Sequence, residues 1–154
     1  MKYFILFLLY LLSLGMLFLM KDILPNFIQK KGFIQFLISF LISSLVFMFK
    51  LKRENFYSTM RHEFCHWLFS LLSFKKPRSF NIESSGEGNF SYYGAHNYYI
   101  ILAPYFFPIV TFFLLLFRIF FERPSQYYFF LIGITFAFDI VSTLKDYHLQ
   151  QTDW

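Results

Sequence analysis

The feature that most constrains this chain is a series of five apolar runs, each close to the length of a membrane-crossing helix. A transmembrane helix needs about 20 mostly apolar residues to cross about 30 Å of hydrocarbon. The runs cover residues 3–20, 33–49, 56–74, 98–121 and 127–144 of the 154-residue sequence. We therefore predict an all-α integral membrane protein with about five transmembrane helices, in one polytopic domain that spans residues 1–154.

The composition supports this class. Hydrophobic residues make up 57% of the chain and aromatic residues 25%, whereas charged residues make up 15%, against about 25% in an average soluble domain. The single cysteine, Cys65, excludes a disulfide framework. The net charge of +5 comes from 14 Lys and Arg residues scattered between the apolar runs. That placement indicates helix ends anchored at a lipid bilayer and gives no support for a nucleic-acid partner.

Membrane orientation does not follow from these basic residues. Five spans would divide the 14 of them into seven on each side, so the positive-inside rule favours neither orientation.

The longest polar connection, residues 78–97, has the pattern of a short β-hairpin. Residues 79–83 alternate apolar and polar side chains, and residues 89–93 could pair with them across Gly86-Glu87-Gly88. Alternation on both sides of a glycine-containing turn is typical of paired strands. We expect this hairpin in the loop that follows the third apolar run.

The third run carries the motif that indicates chemistry, His62-Glu63-Phe64-Cys65-His66, an HExxH sequence. Positions i and i+4 of a helix lie on one face, so two imidazoles at this spacing can bind one Zn²⁺. Zinc lowers the pKa of a bound water, and a neighbouring carboxylate can then take the proton as general base. The sequence predicts His62 and His66 as zinc ligands and Glu63 as the catalytic base.

A catalytic zinc usually has three protein ligands, so the chain should supply one more. Asp139 is the leading candidate because it is the single charge in the fifth run, where an isolated carboxylate is costly. The same residue could instead form a helix–helix hydrogen bond to a Ser or Tyr side chain. The other candidates for the third ligand are Asp146, Asp153, His148 and His96.

An HExxH sequence inside a hydrophobic helix resembles the site-2-protease family of intramembrane zinc metallopeptidases. The order of features is also similar, with a Gly-containing polar stretch, a Pro-bearing apolar segment at Leu102-Ala103-Pro104, and a later helix that carries an Asp. The resemblance implies zinc ligands at His62, His66 and Asp139, with water activated by Glu63. The family's Asp-Gly motif is absent because Ile140 follows Asp139, which indicates a divergent, minimal member.

The resemblance also implies how a substrate is held and where the protein resides. Residues 80–93 would correspond to the family's edge strand, which binds an extended substrate by β-augmentation. The partners would be membrane proteins or membrane-adjacent peptides, and the location a cell (inner) membrane that the chain crosses several times. The sequence gives no oligomeric state.

Two other function classes fit the same residues. One is a membrane scaffold that keeps the metal-binding motif without turnover. The other is a transport subunit in which His62, Glu63 and Asp139 form a proton or metal pathway. The replacement Glu63→Gln should separate the protease from both, because zinc should stay bound while hydrolysis is lost.

Overall fold

The computed structural model describes residue 25 and residues 30–51, 55–120 and 126–146. In these ranges five α-helices and one two-stranded sheet follow one another along the chain. The helices are α1 (Lys30–Lys50), α2 (Phe56–Leu72), α3 (Tyr98–Phe106), α4 (Ile109–Phe117) and α5 (Gln126–Asp146), and a 3-10 turn (Arg118–Phe120) follows α4. The strands are β1 (Pro77–Ile82) and β2 (Gly88–Tyr92), both between α2 and α3.

Two described helices, α1 and α5, are long and apolar enough to cross a membrane, through residues Lys31–Lys50 and Tyr127–Asp146. Helices α3 and α4 together would form a third such segment, but a bend of 76° separates them. The predicted span 3–20 lies outside the described residues. The predicted span 56–74 forms α2, a 17-residue helix that buries several polar side chains. The described residues therefore support two or three crossings, and the predicted count of about five is not confirmed.

The bend between α3 and α4 follows from two prolines spaced four residues apart, Pro104 inside α3 and Pro108 just before α4. Proline has no backbone N–H, so neither residue can donate the helical hydrogen bond to the carbonyl four positions earlier. The fourth apolar run of the sequence is thus divided into two helices.

The β-hairpin predicted for the polar connection is also confirmed. Strands β1 and β2 are antiparallel, with Phe80 opposite Phe90 and Asn81 opposite Asn89. The Thr59 hydroxyl of α2 donates a hydrogen bond of 2.6 Å to the Gly86 carbonyl in the hairpin turn. Both strands contact α2, so the hairpin lies over the helix that carries the HExxH sequence.

Helices α1 and α5 form the most extensive helix pair among the described residues. They approach closely at Gly133, where an added Cβ would overlap the Ser39 hydroxyl and lie 2.6 Å from the Phe36 carbonyl. Close approach at small residues is typical of helices that associate within lipid. The other side of α1 exposes a row of large apolar side chains, among them Ile38, Leu41, Leu45 and Phe49.

Candidate metal site on helix α2

Helix α2 buries a stripe of polar side chains at every fourth position. Ser58, His62, His66 and Ser70 are all buried, as is Glu63 next to the first histidine. The helix begins where the Asn55 side chain accepts a hydrogen bond from the Ser58 N–H at 3.0 Å, a standard N-cap. A spacing of four places these side chains one above another on one helix face. The polar face of α2 therefore points into the protein.

The two histidines of the motif lie side by side on this stripe. Their ring centroids are 4.8 Å apart and the ring planes meet at 72°. Each histidine residue is only 8% exposed. The Tyr105 ring meets His62 edge-on at 5.5 Å, and the Phe90 ring stacks on His66 at 6.3 Å. The structure thus brings His62 and His66 together in a buried, aromatic-walled position.

The Nδ1 atom of His66 is 2.7 Å from the backbone carbonyl oxygen of Ile100. A carbonyl oxygen only accepts hydrogen bonds, so Nδ1 carries the proton that forms this bond. Ile100 lies four residues before Pro104, which means that its carbonyl lacks the usual helical donor. The proline in α3 thereby supplies the acceptor that orients His66.

A second cluster of polar contacts joins α2 to Asp146, the last residue of α5. Its Oδ2 atom accepts a 2.8 Å hydrogen bond from Arg61 Nη2 and lies 3.4 Å from His62 Nδ1. Its Oδ1 atom accepts a hydrogen bond of 3.0 Å from the Ser58 hydroxyl. Arg61 is 3% exposed and also donates to the Pro104 carbonyl at 3.2 Å. This carbonyl lacks a helical donor because Pro108, four residues later, has no N–H. Asp146, one of the alternatives for the third ligand, therefore lies on the Nδ1 side of His62.

Glu63 lies between α2 and the hairpin. A Cβ placed on Gly88 of β2 would be 2.8 Å from its Cγ and 3.1 Å from its Oε1. The strand can therefore pass this close to Glu63 because residue 88 has no side chain. The predicted catalytic base consequently lies against β2, a strand of the hairpin that the family resemblance associates with substrate binding.

Asp139 occupies a different place. Its carboxylate accepts hydrogen bonds from the backbone N–H groups of Val110 and Thr111, at 3.3 and 2.9 Å, and from the Thr111 hydroxyl at 2.8 Å. These bonds join α5 to the first turn of α4. Asp139 thus forms a helix–helix hydrogen bond, the alternative to zinc ligation, but its side-chain partner is a Thr rather than the expected Ser or Tyr. Zinc ligation by Asp139 stays a prediction from the sequence.

The remaining alternatives for the third ligand are His96, His148 and Asp153. His96 is exposed and stacks edge-on against Tyr98 at 5.3 Å. It contributes with His66 to the wall of a cavity of about 380 Å³ between β2 and the start of α3. His148 and Asp153 lie outside the described residues. Within the described ranges, no three His, Cys, Asp or Glu side chains are grouped closely enough to hold a metal ion.

The sequence did not reveal that Arg61 binds Asp146 or that the Ile100 carbonyl binds His66. The position of Pro104 was the available signal, because a proline inside a helix always releases the carbonyl four residues earlier. Cys65, between the two histidines in the sequence, is fully buried in an apolar cluster with Ala103 and Ile109.

Comparisons with protein-family models, with curated protein sequences and with solved structures find no match to this chain.

Proposed function

We propose that the protein is an intramembrane zinc endopeptidase that hydrolyses peptide bonds of membrane-embedded or membrane-adjacent substrates. The observation that carries the proposal is the buried pair His62 and His66, whose rings are 4.8 Å apart on one face of α2. Ionisable side chains are costly to bury in an apolar chain, so their presence there indicates a function. Glu63, the buried carboxylate next to His62 in the sequence, would be the general base.

The two imidazoles fit a metal ion. Nδ1–H donation from His66 to the Ile100 carbonyl leaves the lone pair of a neutral ring on Nε2. Metal-binding histidines commonly donate their other ring N–H to a backbone carbonyl or a carboxylate in this way. We assign His62 and His66 as zinc ligands. When bound, zinc supplies a Lewis acid that polarises a peptide carbonyl and acidifies a water molecule.

The chain's own residues would perform the remaining steps. Glu63 would accept a proton from the attacking water and return it to the leaving amine. Its position against Gly88 places this carboxylate beside the backbone of β2. In the described part of the chain the sheet has two strands, and a substrate in extended form could pair with the outer edge of β2. Such a substrate would pass Glu63 and the histidine pair.

The membrane setting belongs to the proposal as well. Helices α1 and α5 are long and apolar enough to cross a bilayer, and we propose a multi-pass protein of a cell membrane. The substrates would be membrane proteins or peptides whose helices unwind locally, because a helical backbone hides its carbonyls in hydrogen bonds. Gly, Pro or polar residues near the cleavage site would favour that unwinding.

The first test is the zinc content of the purified protein in detergent. We expect about one zinc per chain in the wild type, and loss of zinc in His62→Ala and His66→Ala. Variants of Asp139, Asp146 and His96 identify any further ligand among these three by the same measurement. A folded wild-type protein that holds no zinc would exclude the metallopeptidase.

The second test is cleavage of a single-span peptide with a Gly-Pro pair in its apolar segment, reconstituted with the protein in vesicles and followed by mass spectrometry. Glu63→Gln should keep its zinc and lose cleavage, since an amide does not accept the proton. Zinc binding without cleavage by the wild type would favour the scaffold or the transport subunit. Zinc flux into the vesicles would then indicate the transport subunit, and its absence the scaffold.

A further inference from the structure

The two histidines of α2 each direct Nδ1 toward a different kind of hydrogen-bond acceptor. For His66 the acceptor is the Ile100 carbonyl, at 2.7 Å. For His62 it is the carboxylate of Asp146, at 3.4 Å. One acceptor belongs to the backbone of α3 and the other to the last turn of α5, so the two rings are oriented by different helices.

The acceptor for His66 exists because of a proline. In an uninterrupted helix the N–H of residue 104 would bind the Ile100 carbonyl, but Pro104 has no N–H. The imidazole takes the place of that missing donor. The carbonyl is also well placed, because Ile100 is 1% exposed and a buried carbonyl needs a partner.

The acceptor for His62 is held by two other donors. Arg61 Nη2 donates to Asp146 Oδ2 at 2.8 Å, and the Ser58 hydroxyl donates to Oδ1 at 3.0 Å. These two donors fix the orientation of the Asp146 carboxylate. The guanidinium contact disfavours a zinc ion on Asp146 Oδ2, because the two cations would lie within a few ångströms of each other in a buried place.

We propose that Pro104 and Asp146 are positioning residues that fix His66 and His62 in the Nδ1–H tautomer, so that both rings present the Nε2 lone pair to one metal ion. Pro104 acts through the Ile100 carbonyl, and Asp146 acts through its own carboxylate. The metal-binding role of the two rings rests on the proposed function, but the tautomers themselves are a property of the metal-free protein. Asp146 thus has the role of orienting a ligand rather than of binding zinc.

The tautomers can be read directly. Long-range ¹H–¹⁵N correlation spectra of the metal-free protein, labelled at histidine and held above about pH 8 so that the rings are neutral, distinguish Nδ1–H from Nε2–H rings. Single replacements of each histidine by Gln assign the four rings. We expect both His62 and His66 in the Nδ1–H form in the wild type.

Two variants should then act on different rings. In Pro104→Ala, the new backbone N–H competes for the Ile100 carbonyl, so His66 should shift toward a mixture of tautomers while His62 stays unchanged. In Asp146→Ala, His62 should shift while His66 stays unchanged, and Asp146→Asn should keep the His62 tautomer because its amide oxygen still accepts. Pro108→Ala is the matched control for Pro104→Ala, because the carbonyl that Pro108 releases serves Arg61 instead of a histidine.

Zinc affinity gives a second readout, measured by competition with a chelator. Loss of a hydrogen-bond partner behind a metal-binding histidine costs about 10- to 100-fold in affinity, and we expect this loss in both Pro104→Ala and Asp146→Ala. Ala is also a better helix former than Pro, so Pro104→Ala should fold.

The inference is overturned if either ring carries its proton on Nε2 in the wild type, or if either Ala variant leaves its own ring unchanged. The wild-type spectrum decides even if Asp146→Ala, which strands the buried Arg61, fails to fold. Absence of zinc binding by the wild type would overturn the proposed function instead.

Discussion

The carboxylate of Asp139 holds the start of α4 through Thr111, whose backbone N–H and hydroxyl both donate to Oδ2, at 2.9 and 2.8 Å. Helix α4 begins after Pro108, which provides no side-chain cap, so a residue of a different helix performs this role. Free N–H groups and the helix dipole both favour an anion at this end. Asp139 therefore has a structural reason to be buried that does not involve zinc.

Replacing Asp139 by Ala should lower stability and leave zinc in place. The change removes three hydrogen bonds and strands buried backbone donors, at a cost of about 1–3 kcal/mol. Thermal unfolding in detergent measures the loss, and zinc content on the same samples measures binding. Thr111→Val is the matched control, since it removes only the hydroxyl and should cost about 0.5–1.5 kcal/mol. Loss of zinc from a folded Asp139→Ala protein would identify Asp139 as the third ligand.

Lys145 should stabilise the pairing of α5 with α1 through its hydrogen bonds to α1, rather than by contacting lipid headgroups. Its Nζ donates to the Phe47 and Met48 carbonyls at 3.0 and 2.9 Å, and also to the Leu51 carbonyl. These carbonyls lie at the C-terminal end of α1 and just after it, where a cation is favourable. Lys145→Met should therefore lower the free energy of unfolding by about 1.5–3 kcal/mol.

The matched control for Lys145 is Lys50, which is exposed in the last turn of α1. Lys50→Met should change the unfolding temperature little, because exposed charges contribute about 0–1 kcal/mol. Equal effects of the two substitutions would show that Lys145 acts through general charge rather than through its hydrogen bonds to α1.

Part of this fold could be read from the sequence because its signals are local. The hairpin follows from alternation around Gly86 and Gly88, and the break before α4 follows from Pro108. The contiguity of the HExxH sequence places His62 and His66 on one helix face regardless of the rest of the fold.

The partners of those residues could not be read in the same way. Asp139 and Asp146 lie seven residues apart on α5, so helical periodicity places them on similar faces and cannot distinguish their roles. Their roles depend on where α5 crosses α2 and α4, which is a tertiary relationship. The isolated charge at Asp139 indicated a buried partner, and the structure provides the N-terminus of α4 as that partner.

Gly133 should be required for the close contact between α1 and α5. In Gly133→Ala the new methyl group would overlap the Ser39 hydroxyl and approach the Phe40 backbone nitrogen to 3.0 Å. Rigid neighbours of this kind force the helices apart, at a cost of about 1–3 kcal/mol. Thermal unfolding should show the loss, whereas Leu131→Ala, an exposed position two residues earlier, should show little. Unchanged stability in Gly133→Ala would contradict this packing.

Gly88 should matter for catalysis without affecting zinc. A methyl group there would overlap the Thr59 side chain and lie 2.8 Å from Glu63 Cγ, so Gly88→Ala should move β2 away from α2 and turn the Glu63 carboxylate aside. A displacement of about 1 Å near reacting groups can cost about 100-fold in rate. We expect cleavage of the single-span peptide to fall about 10- to 100-fold while zinc content stays at the wild-type value. Asn89→Ala, an exposed position next in the strand, should leave cleavage within about 2-fold of wild type, since surface substitutions have small effects. If Gly88→Ala cleaves as fast as the wild type, the hairpin is not placed against the catalytic carboxylate during the reaction.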